Sequence, residues 1–373
     1  MSMPRVSVIV PTVNEAENLP LLLPQIAAAL SGRAYEVLIV DDASRDNTAD
    51  VCARLARDYP LKLLVRANPT NGLSGAVLHG MTHAAGDLLV VMDADLQHPP
   101  ERLQALLDPL DKGEADFVIG SRYISGGEMA QRFGIWRRLL SRAATMLARP
   151  IVGDVQDPMS GFFALRRACY LQGRSLTPLG YKIALELICK CPVTRVREVP
   201  IFFGARMHGR SKLTLREQFR YLEHLSRLYD FRYPRASPIA KFLIALACSW
   251  IAGALASAGL MLRGLGLAAG VMVSYPAAVL VTAVFHVRYC RTQREFLVRA
   301  HPWRDFTLIS LAEWASCAAA ASWLAARLAA PRAAEVFLLS YSLAAVVRYA
   351  LRKELLMDIR GLRKDVRADE MTP

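Results

Sequence analysis

The pattern with the clearest chemical meaning is VVMDADLQHPP, in which Asp93 and Asp95 follow a hydrophobic run and Gln97 comes two residues later. Carboxylates at the carboxyl end of a parallel strand face the crevice where α/β sheets bind ligands. An Asp-x-Asp pair supplies hard oxygen ligands for Mg²⁺ or Mn²⁺, and these ions often complete their coordination with substrate phosphates. The pattern favours a metal-assisted nucleoside-diphosphate site, although an isolated Asp-x-Asp also occurs in solvated turns.

Two earlier strand ends carry polar residues that suit a nucleoside. VIVPTVNEAEN ends the first strand with Pro11, Asn14 and Glu15, and VLIVDDASRDNT ends the second with Asp41 and Asp42. A carboxylate after the second strand commonly binds ribose. Capping of the next helix explains one of the two acids more readily than both. We therefore predict a nucleoside role for Asp42.

Two basic clusters are candidates for phosphate binding. Arg122 lies in VIGSRYISGG, and Arg206, Arg210 and Lys212 lie in VPIFFGARMHGRSKL. Each cluster follows an apolar, strand-like run, so its cations could face the ligand crevice and bind a diphosphate or a second phosphate. Solvated loops are the alternative.

NPTNGLSGAVLHG contains Gly72 and Gly75 at a predicted turn into a helix. Both glycines suit either a phosphate-binding nest or simple tight packing. The first strand is not followed by GxGxxG, and the chain contains no GxxxxGK[ST] motif. Both absences weaken a dinucleotide-binding or NTPase interpretation.

The elements that must position these residues alternate between short β-branched runs and longer stretches of helical period. VSVIV, YEVLIV, DLLVVMD and DFVIGS are the runs between Val6 and about Pro200. This alternation predicts βαβ units on a mostly parallel sheet. The N-terminal residues lack a long apolar region and a small-residue cleavage site, so we expect no signal peptide.

The length indicates more than one folded unit, and the composition is unusual for a soluble protein. The 373 residues correspond to two or three domains at about 150 residues each. The net charge is +13, yet 53% of the residues are hydrophobic and the mean hydropathy is +0.24. Such an apolar chain is not disordered, and seven cysteines argue against a disulfide-stapled module. The excess positive charge suits binding to nucleic acid, anionic lipid or a phosphorylated ligand. The distribution of the basic residues along the chain must decide among these three partners.

Four apolar stretches after Pro238 approach the length of about 20 residues that a bilayer crossing needs. A soluble helical bundle would require polar faces that these segments lack. The predicted spans are Ile239 to Leu262, Leu267 to Val287, Phe306 to Ala326 and Val336 to Leu351.

Basic residues around these spans predict their orientation. The segment between the second and third spans holds five arginines, and the tail holds seven basic residues, against one and two in the other loops. The richer segments contain Arg288, Arg291, Arg294, Arg299 and Arg304, and then Arg348, Arg352, Lys353, Arg360, Arg363, Lys364 and Arg367. The positive-inside rule then places both termini and the α/β half in the cytoplasm.

Two further segments are amphipathic. Residues 213–233 place Leu215, Phe219, Leu222 and Leu225 near one helical face, and residues 136–150 have a similar composition. Such helices lie on anionic membrane surfaces or pack as ordinary domain helices.

Together these motifs resemble the polyprenyl-phosphate (dolichol-phosphate) mannosyltransferases of glycosyltransferase family two, over roughly Arg5 to Tyr233. The four spans that follow look like the GtrA-type membrane domain fused to some members. The matching elements are VIVPTVNEAEN, VDDASRDNT, DADLQHPPE, GSRYISGG, RRLLSRAAT, DPMSGFFAL and VPIFFGARMHGRSKL.

The resemblance implies a GT-A-type, Rossmann-like catalytic domain over residues 1–236, a four-helix transmembrane domain over 237–353 and a basic cytoplasmic tail over 354–373. It implies a nucleotide-sugar site, a metal site and a lipid-phosphate site. The donor would contact Pro11, Val13, Glu15, Val40, Asp42, Asp93, Ala94, Asp95, Gln97, Arg206 and Lys212. The lipid phosphate would contact Arg122, Arg137 and Ser141, and the metal would contact Asp95 and Gln97, with Asp93 beside them. Val13 stands where relatives often carry Tyr, which puts one aromatic contact in doubt.

The implied activity is inverting transfer of mannose from GDP-mannose to a polyprenyl phosphate. The implied cofactor is Mg²⁺ or Mn²⁺, and the implied catalytic residues are Asp95 and Arg122. The implied partner is membrane lipid rather than nucleic acid. A phosphate monoester has a second pKa near 6 and needs no protein base at neutral pH. A hydroxyl acceptor would need one, and Asp157 is the candidate.

Three alternatives remain open at this point: UDP-glucose or another donor, a processive polysaccharide synthase, and a membrane scaffold or lipid-sugar flippase with an inactive transferase domain. The QxxRW motif expected of a processive synthase is missing. The intact Asp93, Asp95 and Gln97 argue against an inactive domain.

Overall fold

The computed structural model describes residues 5–130, 135–204, 215–264, 266–285 and 302–327, residue 336, and residues 339–344, 346 and 347. The chain divides into two compact units, Met1–Arg232 and Tyr233–Pro373. Each unit is described by itself below.

The first unit contains a seven-stranded sheet whose strands are rich in Val, Ile and Leu, as expected for a sheet buried on both faces. Its strands are β1 Val6–Thr12, β2 Tyr35–Asp41, β3 Leu61–Val65, β4 Leu88–Val91, β5 Phe117–Ser121, β7 Phe163–Arg166 and β8 Val196–Pro200. Two shorter strands, β6 Glu128–Met129 and β9 Phe202–Phe203, pair in parallel with each other.

The strand order is β3-β2-β1-β4-β7-β5-β8. Neighbouring strands are parallel except at β7, which runs antiparallel to β4 and β5. The chain leaves β1 toward β2, whereas β4 lies on the other side of β1, so a crevice is expected at the carboxyl ends of β1 and β4. The predicted α/β fold with a mostly parallel sheet is confirmed.

Helices cover both faces of this sheet. They are α1 Leu19–Ala29, α2 Thr48–Leu55, α3 Gly72–His83, α4 Leu103–Asp111, α5 Ile135–Val152, α6 Arg167–Leu171, α7 Ile183–Lys190 and α8 Leu215–Arg232. Successive residues of a strand point to opposite faces, so Val8 joins the core under α1 and α4 and Ile9 joins the core under α3 and α7. A Cβ atom on Gly80 of α3 would lie 2.5 Å from the Ile9 side chain, so this close approach requires glycine.

The two predicted amphipathic segments are the helices α5 and α8. Glu186 of α7 is buried and anchors α8 through a 2.7 Å hydrogen bond with His224. Burial would raise the pKa of Glu186, but hydrogen bonds to His224 and Lys190 outweigh it and lower that pKa. Apolar side chains nevertheless remain exposed, including Met146 on α5 at 70% and Phe219 on α8 at 50%. Both helices therefore combine a packed face with exposed apolar groups.

The second unit contains α9 Ala236–Met261, α10 Leu267–Phe285 and α11 Pro302–Arg327. Within the described residues, Ala236–Leu260 and Thr307–Arg327 are long and apolar enough to cross a bilayer, and Ala269–Val281 is a shorter apolar stretch. The first three predicted spans overlap these helices. Arg304 lies in the first turn of α11. Most of the fourth predicted span, the other four loop arginines and the basic tail lie outside the described residues.

Candidate active site

Asp41, the last residue of β2, is buried and holds the loop that follows it. The backbone N–H of Ser44 donates to one carboxylate oxygen at 3.0 Å, and the hydroxyl groups of Ser44 and Thr12 donate to the other. These bonds stabilise a turn in which Ala43 has a φ of 53°. Asp41 therefore has a structural role, which separates it from its neighbour Asp42.

Asp42 forms an ion pair with Arg66, and Nη1 of Arg66 lies 2.8 Å from Oδ1 of Asp42. The two side chains are only 8% and 10% exposed. Arg66 also donates from Nη2 to the carbonyl oxygen of Thr70 at 2.6 Å, and its backbone N–H donates to the carbonyl oxygen of Asp41 at 2.8 Å. Arg66 thereby fixes the carboxylate for which the sequence predicts a nucleoside contact.

The loop after β1 is bonded to the loop after β2. The backbone N–H of Asn14 donates to Oγ of Ser44 at 2.7 Å, and the backbone N–H of Glu15 donates to Oγ1 of Thr48 at 3.2 Å. Among the predicted nucleoside contacts, Val13 is exposed and Glu15 is partly exposed, whereas Pro11 and Val40 are buried in their strands. The two loops form a continuous edge at the carboxyl ends of β1 and β2.

The acidic motif follows β4 directly. The side chain of Asp93 is 34% exposed, whereas Ala94 and Asp95 are buried. Leu96 has a φ of 61°, and the backbone N–H of Gln97 donates to Oδ1 of Asp95 at 3.2 Å. This turn brings the predicted diphosphate and metal residues together at the end of the strand.

Gln97 joins this turn to the segment after β9. Its Nε2 donates to the carbonyl oxygen of Gly204 at 3.1 Å, and the backbone N–H of Gly204 donates to the carbonyl oxygen of Gln97 at 3.0 Å. Arg206 and Lys212, the predicted donor-phosphate cations, follow Gly204 in the chain but lie outside the described residues, as does Arg210.

Gly161 leaves room beside the Asp93 carboxylate. A Cβ atom at Gly161 would lie 3.4 and 3.6 Å from the two carboxylate oxygens of Asp93, and 3.3 Å from the ring of His98. Within the described ranges, no group of three or more His, Cys, Asp or Glu side chains is arranged to hold a metal ion. Two carboxylates and an amide at one strand end supply hard oxygen ligands, which fit an ion that takes further ligands from a bound diphosphate.

His98 supports the acidic turn from inside the domain. Its Nδ1 accepts a 2.9 Å hydrogen bond from the backbone N–H of Asp93, and its ring stacks on Phe162 at 5.2 Å between centroids. Burial lowers the pKa of His98 to about 4, so the imidazole is neutral at neutral pH. A neutral ring with Nδ1 as acceptor is the form that can hold the Asp93 backbone.

Arg122, directly after β5, forms a bidentate ion pair with Asp157. Its Nε and Nη2 donate to the two carboxylate oxygens at 2.7 and 2.8 Å, and its backbone N–H also donates at 3.1 Å. Asp157 is completely buried. Burial would lower the pKa of Arg122, but the hydrogen bonds and charge of Asp157 outweigh it and raise that pKa. Arg122 is held as a cation.

This ion pair makes Asp157 a positioning group for Arg122 rather than an available base. Both carboxylate oxygens already accept bonds from the guanidinium, so binding a proton would disrupt the pair. Glu198 of β8 holds the same segment, because its carboxylate accepts the backbone N–H groups of Gln156 and Asp157 at 2.8 and 2.9 Å. The predicted alternative role of Asp157 as a general base fits this geometry poorly.

The neighbour of Arg122 connects it to α5. The hydroxyl groups of Tyr123 and Ser141 lie 3.1 Å apart and share a hydrogen bond. Ser141, one of the predicted lipid-phosphate residues, is thus brought next to the Arg122 segment. Arg137 belongs to the same helix, but its side chain is outside the described part of the chain.

Gly75, in the first turn of α3, favours tight packing over a phosphate nest, whereas Gly72 has a φ of 56° and a Cβ atom there would lie 3.9 Å from the carbonyl oxygen of Gly180. A Cβ atom at Gly75 would lie 2.2 Å from the carbonyl oxygen of Thr70. The backbone N–H of Ser74 donates to Gly180 at 3.2 Å, and that of Gly75 donates to Asn71 at 3.4 Å. These donors are already used within the protein.

Arg66, His98, Lys182 and Phe203 lie at this site without having been predicted. Nζ of Lys182 donates to the carbonyl oxygen of Met159 at 2.9 Å, in the segment that also carries Asp157 and Gly161. His98 directly follows Gln97, and this position is the one sequence signal that could have identified it. Phe203 lies within the quoted run VPIFFGARMHGRSKL, but nothing in that run distinguishes it from Phe202. Arg66 and Lys182 lie outside the quoted motifs, and only the fold brings them to the site.

Comparisons with known proteins place the chain in a family. The model of glycosyl transferase family 2 matches residues 7–172. Dolichol-phosphate mannosyltransferase of Pyrococcus furiosus is 45% identical over 227 residues, which are 60% of this chain and 63% of that protein. The protein of that name in Mycosarcoma maydis is 40% identical over 255 residues, 66% of this chain and 85% of the relative.

The match spans slightly less than two thirds of the Pyrococcus protein. Among solved structures, glucosyl-3-phosphoglycerate synthase from Mycobacterium tuberculosis, in complex with Mn²⁺, UDP-glucose and glycerol 3-phosphate, is 20% identical with a TM-score of 0.46. That alignment covers 61% of this chain and 80% of the other. By the family model and by the Mycosarcoma relative, of which the match covers 85%, the chain belongs to glycosyltransferase family 2, in the branch that contains the dolichol-phosphate mannosyltransferases.

Proposed function

We propose that this protein transfers mannose from GDP-mannose to a dolichyl-type polyprenyl phosphate, with inversion at the anomeric carbon. The names of the relatives support the donor sugar and the acceptor class. The observation that carries the proposal is the pairing of an acidic turn with a fixed cation in the first unit. The Phe203 ring lies 5.2 Å from Cζ of Arg122 and 5.5 Å from the ring of His98, whose Nδ1 accepts the backbone N–H of Asp93.

The donor would lie along the carboxyl ends of β1, β2 and β4. The nucleoside would contact Pro11, Val13, Glu15, Val40 and Asp42. The diphosphate would contact Asp93, Ala94, Asp95 and Gln97, and Arg206 and Lys212 would be its cationic partners. Asp95 and Gln97, with Asp93 beside them, would hold Mg²⁺ or Mn²⁺. When bound, such an ion offsets negative charge on the departing diphosphate.

The acceptor would lie against Arg122, Arg137 and Ser141. Its phosphate monoester is anionic at neutral pH, so no side chain has to remove a proton before attack. A phosphate oxygen forms the new bond to the anomeric carbon from the face opposite the leaving group, and the bond from that carbon to the diphosphate oxygen breaks. The protein contributes alignment of the two reactants and stabilisation of their charges.

The second unit would anchor this reaction at a membrane. We assign residues 1–236 to a cytoplasmic catalytic domain, residues 237–353 to four membrane spans, and residues 354–373 to a cytoplasmic tail. The two long apolar helices and the exposed apolar side chains of α5 and α8 support this location. The loop arginines support the orientation.

Reporter fusions test the four-span arrangement. Fusions at Gly264 and Pro331 should report the side opposite to fusions at the N-terminus and after Arg352, because an even number of crossings returns the chain to the cytoplasm. Alkaline phosphatase and green fluorescent protein would give complementary signals at each position. A cytoplasmic signal at Gly264 or Pro331 would contradict the arrangement.

A panel of radiolabelled sugar nucleotides tests the activity. The purified full chain is incubated with GDP-mannose, UDP-glucose or UDP-galactose, a short polyprenyl phosphate and Mn²⁺, and the product is extracted into organic solvent. We expect label in the organic phase from GDP-mannose only. Transfer from UDP-glucose alone would show that UDP-glucose, and not GDP-mannose, is the donor. The absence of transfer from every donor would favour a scaffold or flippase.

A further inference from the structure

One aromatic ring lies between the two halves of the proposed site. Phe203 ends β9 and is half-buried. Its ring centroid is 5.5 Å from that of His98, with the two planes at 59°, and 5.2 Å from Cζ of Arg122. The ring therefore contacts a group that supports the acidic turn and a group assigned to the acceptor.

The two residues that the ring contacts, His98 and Arg122, are each held by a further hydrogen-bond partner. His98 accepts the backbone N–H of Asp93, so a displacement of its ring would release the start of the acidic turn. Arg122 is held by the buried Asp157 through two side-chain bonds, which leave its guanidinium plane little rotational freedom. A ring packed against both groups restrains each of them relative to the other.

The backbone beside Phe203 is restrained as well. Gly204 makes the two hydrogen bonds with Gln97 described above, and Phe203 pairs with Met129 on β6. The backbone that carries the ring cannot move away without disturbing the turn that carries the proposed metal ligands. This arrangement differs from an ordinary core contact, because the ring lies between the residue that supports the acidic turn and the cation proposed to bind the acceptor.

We propose that Phe203 is a positioning residue that links the metal-and-donor turn to the acceptor arginine. This inference rests on the proposed function and adds that the two half-sites are mechanically coupled through one ring. Phe203 touches neither substrate in this account. It holds Arg122 in the orientation that binds the acceptor phosphate and holds the acidic turn in the conformation that binds the donor diphosphate.

The size of the effect follows from the contacts. Desolvated cation–π pairs and aromatic pairs each contribute enough for about a five- to tenfold change in an equilibrium constant. Phe203→Leu should therefore raise KM for polyprenyl phosphate about five- to tenfold. The same variant should raise Kd for GDP with Mn²⁺ about fivefold, because His98 loses its packing partner. We expect kcat at saturating substrates to stay within about threefold of wild type, since no reacting atom is removed.

The experiment uses the full chain in detergent and two independent readouts. Steady-state kinetics give KM and kcat for the acceptor, and calorimetry gives Kd for GDP in the presence of Mn²⁺ without any turnover. Phe202→Leu is the matched control, because the neighbouring ring lies on the same short strand but is 52% exposed. Phe203→Tyr retains the ring and should restore both parameters. Phe203→Met fills a similar volume and replaces the leucine variant should that variant aggregate.

The outcomes separate clearly. Weakening of both parameters by Phe203→Leu, with Phe203→Tyr and Phe202→Leu near wild type, supports the link. Weakening of one parameter alone, or equal effects at Phe202 and Phe203, would overturn it. The wild-type enzyme's turnover tests the proposed function separately, and a different preferred donor would require the same comparison of variants with its own nucleotide.

Discussion

Asp95→Ala should lower kcat/KM for mannosyl transfer by at least about 100-fold, the typical loss when one charge-stabilising group is removed from a preorganised site. Asp95 is 5% exposed, and its carboxylate accepts the backbone N–H of Gln97, so the substitution removes a proposed metal ligand and loosens the turn. Asp95→Asn keeps the shape and loses only the charge. Both variants should bind Mn²⁺ with GDP far more weakly than wild type.

Metal binding is measured by electron paramagnetic resonance of Mn²⁺ during titration with GDP, and activity is measured in parallel. Asp108→Ala is the carboxylate control, because Asp108 lies on α4 and accepts an exposed hydrogen bond from Gln104. That variant should match wild type in both readouts. Full activity of Asp95→Ala, or undiminished wild-type activity in EDTA, would refute the assignment of a metal to this turn.

Arg122→Ala should reduce transfer by about 100-fold or more through the acceptor, because the variant removes the cation proposed to hold the lipid phosphate and leaves Asp157 buried without its partner. Affinity for GDP with Mn²⁺ should change much less than acceptor KM. The wild-type rate should fall as pH drops through about 6, because the attacking phosphate becomes protonated at its own second pKa. Arg195→Ala removes the arginine of the exposed Asp116 ion pair and is the matched control.

Asp157→Asn distinguishes the two roles considered for this carboxylate. If Asp157 positions Arg122, the asparagine variant should share the acceptor defect of Arg122→Ala, and the double variant should lose little more than either single one. Thermal unfolding of each variant separates loss of the ion pair from loss of the fold. A stable but inactive Asp157→Asn enzyme beside an active Arg122→Ala enzyme would instead indicate a hydroxyl acceptor with Asp157 as its base.

The sequence predicted the sheet and the acidic turn because both are local signals. A β-branched run followed by carboxylates defines a strand end without any knowledge of the remaining chain, and the ends of β1, β2 and β4 lie as expected. The bonds that hold Asp41 in its turn and the partner of Asp42 were not predictable in this way. Asp42 pairs with Arg66, 24 residues later, and only the pairing of β2 with β3 brings them together.

The contacts of Arg122 also join residues that are far apart in the sequence, so local patterns could not predict them. Asp157 comes 35 residues after Arg122, and the backbone of its segment is held by Glu198 on β8, so the ion pair depends on three separate segments. Phe203 belongs to an apolar run whose sequence gives no reason to prefer one ring over its neighbour. In the fold, Phe202 is exposed, whereas Phe203 lies between His98 and Arg122.

The most direct test of the central claim, that a lipid phosphate is the nucleophile, is ³¹P nuclear magnetic resonance of the acceptor during turnover. The purified full chain is mixed with GDP-mannose, Mn²⁺ and a short polyprenyl phosphate, and the lipid phosphorus signal is followed over time. The account predicts that the monoester signal is replaced by a phosphodiester signal while GDP accumulates. Accumulation of GDP with mannose transferred to another molecule, and the lipid remaining a monoester, would contradict it.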